Sequence, residues 1–153
     1  MFKLSDEEKE RIEEFLKPYL SDEEVLKMKE YVQHGSVSTY EHAFRVAECC
    51  YYISRRLHIR CNEEDLMAAA FLHDFYLYDW HDADPSHKFH GFTHAEAASI
   101  NAARHFHISD NAENAIRSHM WPLNITKVPR SREALILTVS DKLCSAKETI
   151  FNR

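Results

Sequence analysis

A histidine and an aspartate stand side by side at the end of an apolar run. The run covers residues 68–72, and His73 and Asp74 follow it directly. Both side chains are costly to bury unless they are paired or bound to a metal. A neutral imidazole and a carboxylate are suitable ligands for divalent metals, so the pair is a candidate metal site. The pair alone is weak support, because a chain with 11 histidines can place one beside an aspartate by chance.

Two more residues, one upstream and one downstream, could complete a ligand set. His42 falls in the first turn of a helical pattern that opens at Ser38, and Asp141 comes shortly after the largely apolar run of residues 135–139. Each residue has a structural alternative. His42 could be a surface or capping histidine, and Asp141 could form a buried ion pair or cap another helix. The order His…His-Asp…Asp favours a shared metal site.

These residues and the words around them resemble the HD-domain superfamily of metal-dependent phosphohydrolases. The resemblance covers roughly residues 36–149 and includes the words EH (41–42), RVA (45–47), LHD (72–74), AIRSH (115–119) and SDK (140–142). It implies an all-α fold, a single-domain bundle of about six to seven helices. It also implies that His42, His73, Asp74 and Asp141 bind a divalent metal inside that bundle.

Two further histidines, His94 and His119, occupy places where some members of this superfamily hold a second metal. Those members bridge the two ions through the aspartate of the doublet, which here is Asp74. The resemblance therefore implies one or two divalent ions, with Fe, Mn, Zn, Ni, Co and Mg all open. His90 is the expected substitute for His94 if the preceding loop folds differently.

The activity that the resemblance implies is hydrolysis of a small nucleotide or another phosphate ester by a metal-activated water. Asp74 is the expected catalytic residue, because one of its oxygens could bind the metal while the other orients the water. Arg45, His90 and Lys142 are the candidates for contacts with substrate. The G-Y-P and H-D-x-x-E-D words of cyclic-di-GMP and (p)ppGpp hydrolases are missing, so neither substrate is expected.

Other readings of the same residues stay open at this point. Some HD-domain proteins with the order His…His-Asp…His…His…Asp hold two irons and activate oxygen. A third possibility is a metal or ligand sensor without catalysis on the same scaffold. The six histidines between residues 81 and 107 could also form a metal-storage tract. Arg45 could pair with Glu41 or Glu48 instead of contacting substrate.

The composition is that of a soluble, single-domain protein. The chain has 153 residues, of which 44% are hydrophobic and 29% charged. It has neither an apolar run of membrane-spanning length nor a leader-like start, so we expect it in the cytoplasm.

A net charge of −6 argues against binding to a nucleic-acid backbone. Four cysteines without C-x-x-C spacing are expected to be reduced and packed in helices. With two glycines, the chain has no phosphate-binding glycine loop.

Helix-start signals divide the chain into the elements that must position these residues. Residues 1–35 are expected to form two amphipathic helices, the second reaching Val32, that cover the bundle. Residues 36–153 are expected to form the metal-binding helical domain. Residues 75–92 are the least regular segment, and Tyr76, Tyr78 and Trp80 could anchor it to the core or stack on a base. The expected N-cap residues are Ser5, Ser21, Ser38, Asn62, Thr93 and Ser131, and one further helix is expected to run from about Ser109 to His119.

Overall fold

The computed structural model describes residues 2–76 and 90–151, without the side chains of His90 and Phe92. Its helices are α1 Asp6–Leu20, α2 Glu23–Leu26, α3 Thr39–Arg56, α4 Glu63–Leu72, α5 His90–Phe106, α6 Asp110–Ser118 and α7 Arg132–Phe151. A 3₁₀ turn, Lys27–Lys29, and a two-stranded hairpin, β1 Val32–His34 and β2 Val37–Ser38, lie between α2 and α3. The predicted all-α class is confirmed, because the hairpin is the only sheet in the described chain.

Helix α4 is the centre of the bundle. Its residues 66–72 are all buried, and α1, α3, α6 and α7 pack around it. A helix that is apolar on every side is stable only when it is enclosed in this way. The three alanines at 68–70 leave room for neighbouring backbones to approach closely. Because α4 ends at Leu72, the next two residues, His73 and Asp74, emerge inside the bundle rather than at its surface.

Most of the predicted helix starts are confirmed by side-chain caps. Ser5 and Ser38 form capping boxes with Glu8 and Glu41 at the starts of α1 and α3. The other helix starts that are confirmed have the side chains of Asn62, Ser109 and Ser131, which accept hydrogen bonds from the backbone NH groups of Asp65, Ala112 and Ala134. Local chemistry therefore sets where α3, α4, α6 and α7 begin.

The prediction for residues 21–35 was wrong in its second half. Asp22, not Ser21, caps α2, which lasts one turn before the chain enters the 3₁₀ turn and then β1. Val32, expected on the buried face of a helix, is 43% exposed on a strand. The hairpin forms because Gly35 takes a positive φ of 58°, which glycine adopts without strain, and turns the chain back. The division of the chain at residue 35 stays a prediction.

The start predicted for α5 was also wrong. The helix begins at His90, so Thr93 lies inside it with an exposed side chain instead of capping it. A threonine followed by a glutamate three residues later is compatible with a helix interior, because an exposed threonine does not stop the helix from continuing. His94 therefore lies one turn into α5 rather than at its first turn.

Two expectations about the chain as a whole can be compared with the structure. The four cysteines are free, and Cys49, Cys50 and Cys144 are buried in α3 and α7 as predicted. Across the residues that the structure describes, no helix combines the length and the apolar character needed to cross a membrane.

Candidate metal centre

Helix α3 contributes His42, which is completely buried. The capping box at Ser38 fixes the start of the helix and places His42 in its first turn. Its Nε2 atom lies 3.0 Å from Oδ1 of Asp141 on α7. Its Nδ1 atom lies 2.7 Å from Oε2 of Glu148, two turns further along α7. Both ring nitrogens are therefore held by carboxylates of one helix.

The end of α4 contributes His73 and Asp74, which are 0% and 1% exposed. Nδ1 of His73 lies 2.6 Å from the carbonyl oxygen of Ala70, so this nitrogen carries the hydrogen and donates it. Nε2 of His73 then faces the centre, 3.3 Å from Oδ2 of Asp74 and 3.4 Å from Oδ1 of Asp141. Adjacent residues reach one point here because the helix has given way to a turn, with a hydrogen bond from the NH of Phe75 to Leu72.

Two more buried histidines face the other oxygen of Asp74. His94 on α5 and His119 at the end of α6 bring their Nε2 atoms to 3.3 and 3.7 Å from Oδ1 of Asp74. The two Nε2 atoms are 3.1 Å apart. Nδ1 of His119 lies 2.6 Å from the carbonyl oxygen of Ile116, in the same way that His73 is anchored to Ala70. All six residues of the expected ligand set thus meet in one cluster.

The donor set fits divalent metal ions. Nε2 of His73 and Oδ1 of Asp74 are buried and make no hydrogen bond with any residue that the structure describes. Ligand atoms about 2.1 Å from a tetrahedral ion lie about 3.4 Å from one another, close to the distances found here. Groups of three residues whose donor atoms lie within 4.8 Å of one another are His42/His73/Asp74, His73/His119/Asp141, Asp74/His94/His119 and His34/His42/Glu148.

In the metal-free cluster, the neighbouring carboxylates favour the protonated, positively charged forms of His42 and His73. Burial opposes a charge on His42, but hydrogen bonds to Asp141 and Glu148 outweigh burial and raise its pKa to about 9. Burial opposes a charge on His73 too, yet the adjacent Asp74 raises its pKa well above the usual range. Burial alone would raise the pKa values of Asp74 and Asp141, but the imidazoles hold both well below their usual range. Both carboxylates are therefore ionised.

His119 differs from these two histidines. Burial, followed by repulsion from His73 and His94, lowers the pKa of His119 to about 3. A neutral His119 whose Nδ1 donates to Ile116 has its lone pair on Nε2, directed at the cluster. This is the form of histidine that binds a metal.

The structure also adds residues that the sequence analysis missed. Gln33 donates from Nε2 to Oδ2 of Asp74 at 2.6 Å, and the half-buried ring of His34 lies 5.5 Å from that of His42. Neither contact has a sequence signal, because both residues reach the site through the hairpin. Glu148 had one: it follows Asp141 by seven residues, two helical turns, and so shares its face of α7.

The three residues expected to contact substrate have different surroundings. Lys142 lines a cavity of about 660 Å³ that Asp74 also lines. Its Nζ donates to the carbonyl oxygen of His119 at 3.1 Å. Arg45 pairs with Glu148, at 3.3 Å, instead of with Glu41 or Glu48 as the sequence suggested, and it does not line this cavity. The side chain of His90 lies outside the described part of the chain.

The aromatic residues after Asp74 can be compared with the structure only in part. Tyr76 is buried and its hydroxyl donates to Oε1 of Gln33 at 2.7 Å, which agrees with an anchoring role. Tyr78 and Trp80 lie outside the described residues. His105, near the end of α5, and His107, just after it, are exposed.

Comparison with known proteins gives a family for this geometry. The family model for the HD domain matches residues 39–146, more than two thirds of the chain. Comparisons with curated proteins and with solved structures found no match. The matched range begins at the start of α3 and contains all six residues of the cluster. The chain belongs to the HD-domain family.

Proposed function

We propose that this protein is a metal-dependent phosphohydrolase that acts on a small nucleotide or another small phosphate ester. The observation that carries the proposal is the position of Asp74. Its Oδ2 atom faces His42 and His73, and its Oδ1 atom faces His94 and His119. This arrangement suits a carboxylate shared by two ions, and Asp74 lines a cavity large enough for a small ligand.

The side chains that would hold the ions divide into two sets. His42, His73 and Asp141 would hold one ion, and His94 and His119 the other, with Asp74 between them. Divalent ions bound there would supply positive charge that polarises a phosphoryl oxygen and lowers the pKa of water. Asp74 is the proposed catalytic residue, because it lines the cavity and its carboxylate would hold the two ions that polarise the phosphoryl group and the attacking water.

The cavity that Asp74 lines indicates how a substrate would be placed. Lys142 is one of its lining residues, and its ammonium group, which donates to the carbonyl oxygen of His119, could also bind phosphate oxygens. The lining also includes the apolar residues Met120, Pro122 and Leu123, which could contact the rest of the ester. Arg45 pairs with Glu148, which in turn contacts His42. Its role is therefore to hold His42 in place rather than to contact the substrate. We also propose that His90 contacts the substrate, although its side chain lies outside the described residues.

A metal and substrate screen tests this proposal. Protein purified without added metal would be analysed for its elements and then assayed against phosphate esters and nucleotides, with and without a chelator. We expect release of phosphate that the chelator abolishes and added metal restores. His107→Ala is the matched control for ligand variants, because His107 is exposed and outside the cluster.

The outcomes also separate the alternative functions. Phosphate release that is equal in air and under anaerobic conditions supports hydrolysis. Iron in the purified protein, an oxygen-dependent spectral change and no hydrolysis would instead indicate the di-iron oxygenase. Bound metal with no turnover of any ester would indicate a metal or ligand sensor.

A further inference from the structure

We infer that Gln33 is a positioning residue that sets the orientation of the Asp74 carboxylate between the two halves of the cluster. The inference rests on the proposed metal-binding role of that cluster. Gln33 lies on β1, outside the residues that match the HD-domain model. It is 8% exposed, so its amide is committed to partners inside the protein.

The hydrogen bonds determine which way the amide points. Oε1 of Gln33 accepts from the hydroxyl of Tyr76 at 2.7 Å, and the hydroxyl of Thr39 lies 3.4 Å away on the same side. Nε2 lies 2.6 Å from Oδ2 of Asp74. Since Oε1 is taken up by the Tyr76 hydroxyl on the opposite side, the NH₂ group faces Asp74 and donates to its Oδ2 atom. The reverse orientation would oppose two acceptors at that short distance.

The backbone of the hairpin keeps Gln33 in this position. β1 and β2 pair antiparallel, with Val32 opposite Ser38 and His34 opposite Val37. The three residues of β1 are exposed, buried and intermediate in turn, so Gln33 faces the bundle while Val32 faces outward. The hairpin directly precedes α3, which carries His42. It therefore adds a second contact with the cluster, the hydrogen bond from Gln33 to Asp74.

The contact matters because an aspartate carboxylate rotates easily about its last torsion. Asp74 must present one oxygen to His42 and His73 and the other to His94 and His119. Among the described residues Oδ1 makes no hydrogen bond, so the Gln33 amide on Oδ2 is the hydrogen bond that fixes the carboxylate plane. Loss of the amide should most affect the ion held by His94 and His119, because that set has fewer other protein ligands.

Manganese titration tests the inference. Mn²⁺ binding to wild type and Gln33→Leu would be followed by calorimetry and by electron paramagnetic resonance, which detects magnetic coupling between two bridged Mn²⁺ ions. We expect two coupled ions in wild type. In Gln33→Leu we expect the weaker site to lose affinity by about 10- to 100-fold, the usual effect of removing a residue that supports a ligand. Circular dichroism and the thermal midpoint should stay close to those of wild type.

Two more variants keep the test decisive. Tyr76→Phe removes the hydroxyl that donates to Oε1 of Gln33 but keeps the amide itself, and it should give a smaller loss in the same direction. Val32→Ala, on the outer face of the same strand, should bind both ions as wild type does. If Gln33→Leu does not fold, Tyr76→Phe decides the matter.

The results that would contradict the role of Gln33 differ from those that would contradict the proposed phosphohydrolase activity. Coupled Mn²⁺ ions with wild-type affinity in Gln33→Leu, or fewer than two Mn²⁺ sites in wild type, would overturn the role of Gln33. If Gln33→Leu cannot be studied, unchanged binding in Tyr76→Phe would do the same. A wild type that binds two ions but hydrolyses no ester would refute phosphohydrolase activity and leave the inference standing.

Discussion

The Nδ1 atom of His42 lies 2.7 Å from Oε2 of Glu148, and both residues are completely buried. Burial opposes a charge on Glu148, but the hydrogen bond with His42 outweighs it and holds the pKa of the glutamate below its usual value. The glutamate is therefore an anion that directs the other nitrogen of His42 at the cluster, the arrangement found behind many metal-binding histidines. Arg45 balances the glutamate at 3.3 Å.

Glu148→Gln should weaken metal binding without changing the fold. The amide can still accept a hydrogen bond from His42, but it no longer increases the basicity of the ring. We expect metal affinity to fall by about 10- to 100-fold. The calorimetric titration should be carried out at a pH near the His42 pKa of about 9, because protons then compete less with the metal for this histidine. Lys147→Ala, an exposed neighbour, is the control, and equal affinities for the two variants would contradict the role of Glu148.

Metal affinity should rise with pH. In the metal-free centre, His42 and His73 hold protons because their pKa values are raised, that of His42 to about 9. A metal must displace those protons, so affinity is highest above this range and falls as the pH is lowered through it. An unperturbed imidazole would show the fall near pH 6.5, so the carboxylates move the transition towards alkaline pH.

Proton release measures this competition directly. Metal added to weakly buffered protein near neutral pH should release protons, and the number should decrease as the starting pH approaches 9. Affinity that does not change with pH, with no proton released, would exclude His42 and His73 as ligands.

Asp74→Asn should abolish hydrolysis and leave the helices intact. Asparagine has the same shape, but it cannot supply the negative charge that both halves of the cluster share. We expect activity to fall by at least about 100- to 1000-fold. The core is built by other residues, so the circular dichroism spectrum should be unchanged. Loss of the spectrum together with activity would indicate a structural role for Asp74.

The double variant His94→Ala, His119→Ala should reduce the metal content from two ions to one. These side chains supply the imidazoles on the Oδ1 side of Asp74, whereas His42, His73 and Asp141 remain. The matched control is His58→Ala, His107→Ala, which removes two exposed histidines that lie outside the cluster. Equal metal content in the two double variants would leave a mononuclear centre.

The sequence predicted the parts of this protein that depend on local signals. Ser38, Asn62, Ser109 and Ser131 marked helix starts because capping is a contact within one turn. The residues of the expected ligand set were recognisable because their order along the chain is distinctive, and the structure brings them together. That they bind metal stays a proposal.

The parts that the sequence did not predict depend on tertiary contacts. Nothing local to Gln33 indicates that a hairpin carries it to Asp74, 41 positions away in the chain. The pairing of Arg45 with Glu148 instead of a neighbour on α3 likewise depends on the packing of α7 against α3. At Thr93 the capping pattern was present but the helix had already begun at His90.

Anomalous diffraction from crystals loaded with Mn²⁺ is the most direct test that this cluster is a metal centre. We predict two anomalous peaks on either side of Asp74, one beside His42, His73 and Asp141 and the other beside His94 and His119, each about 2 Å from its ligand atoms. Peaks only at other histidines of the chain, with none within bonding distance of Asp74, would contradict it.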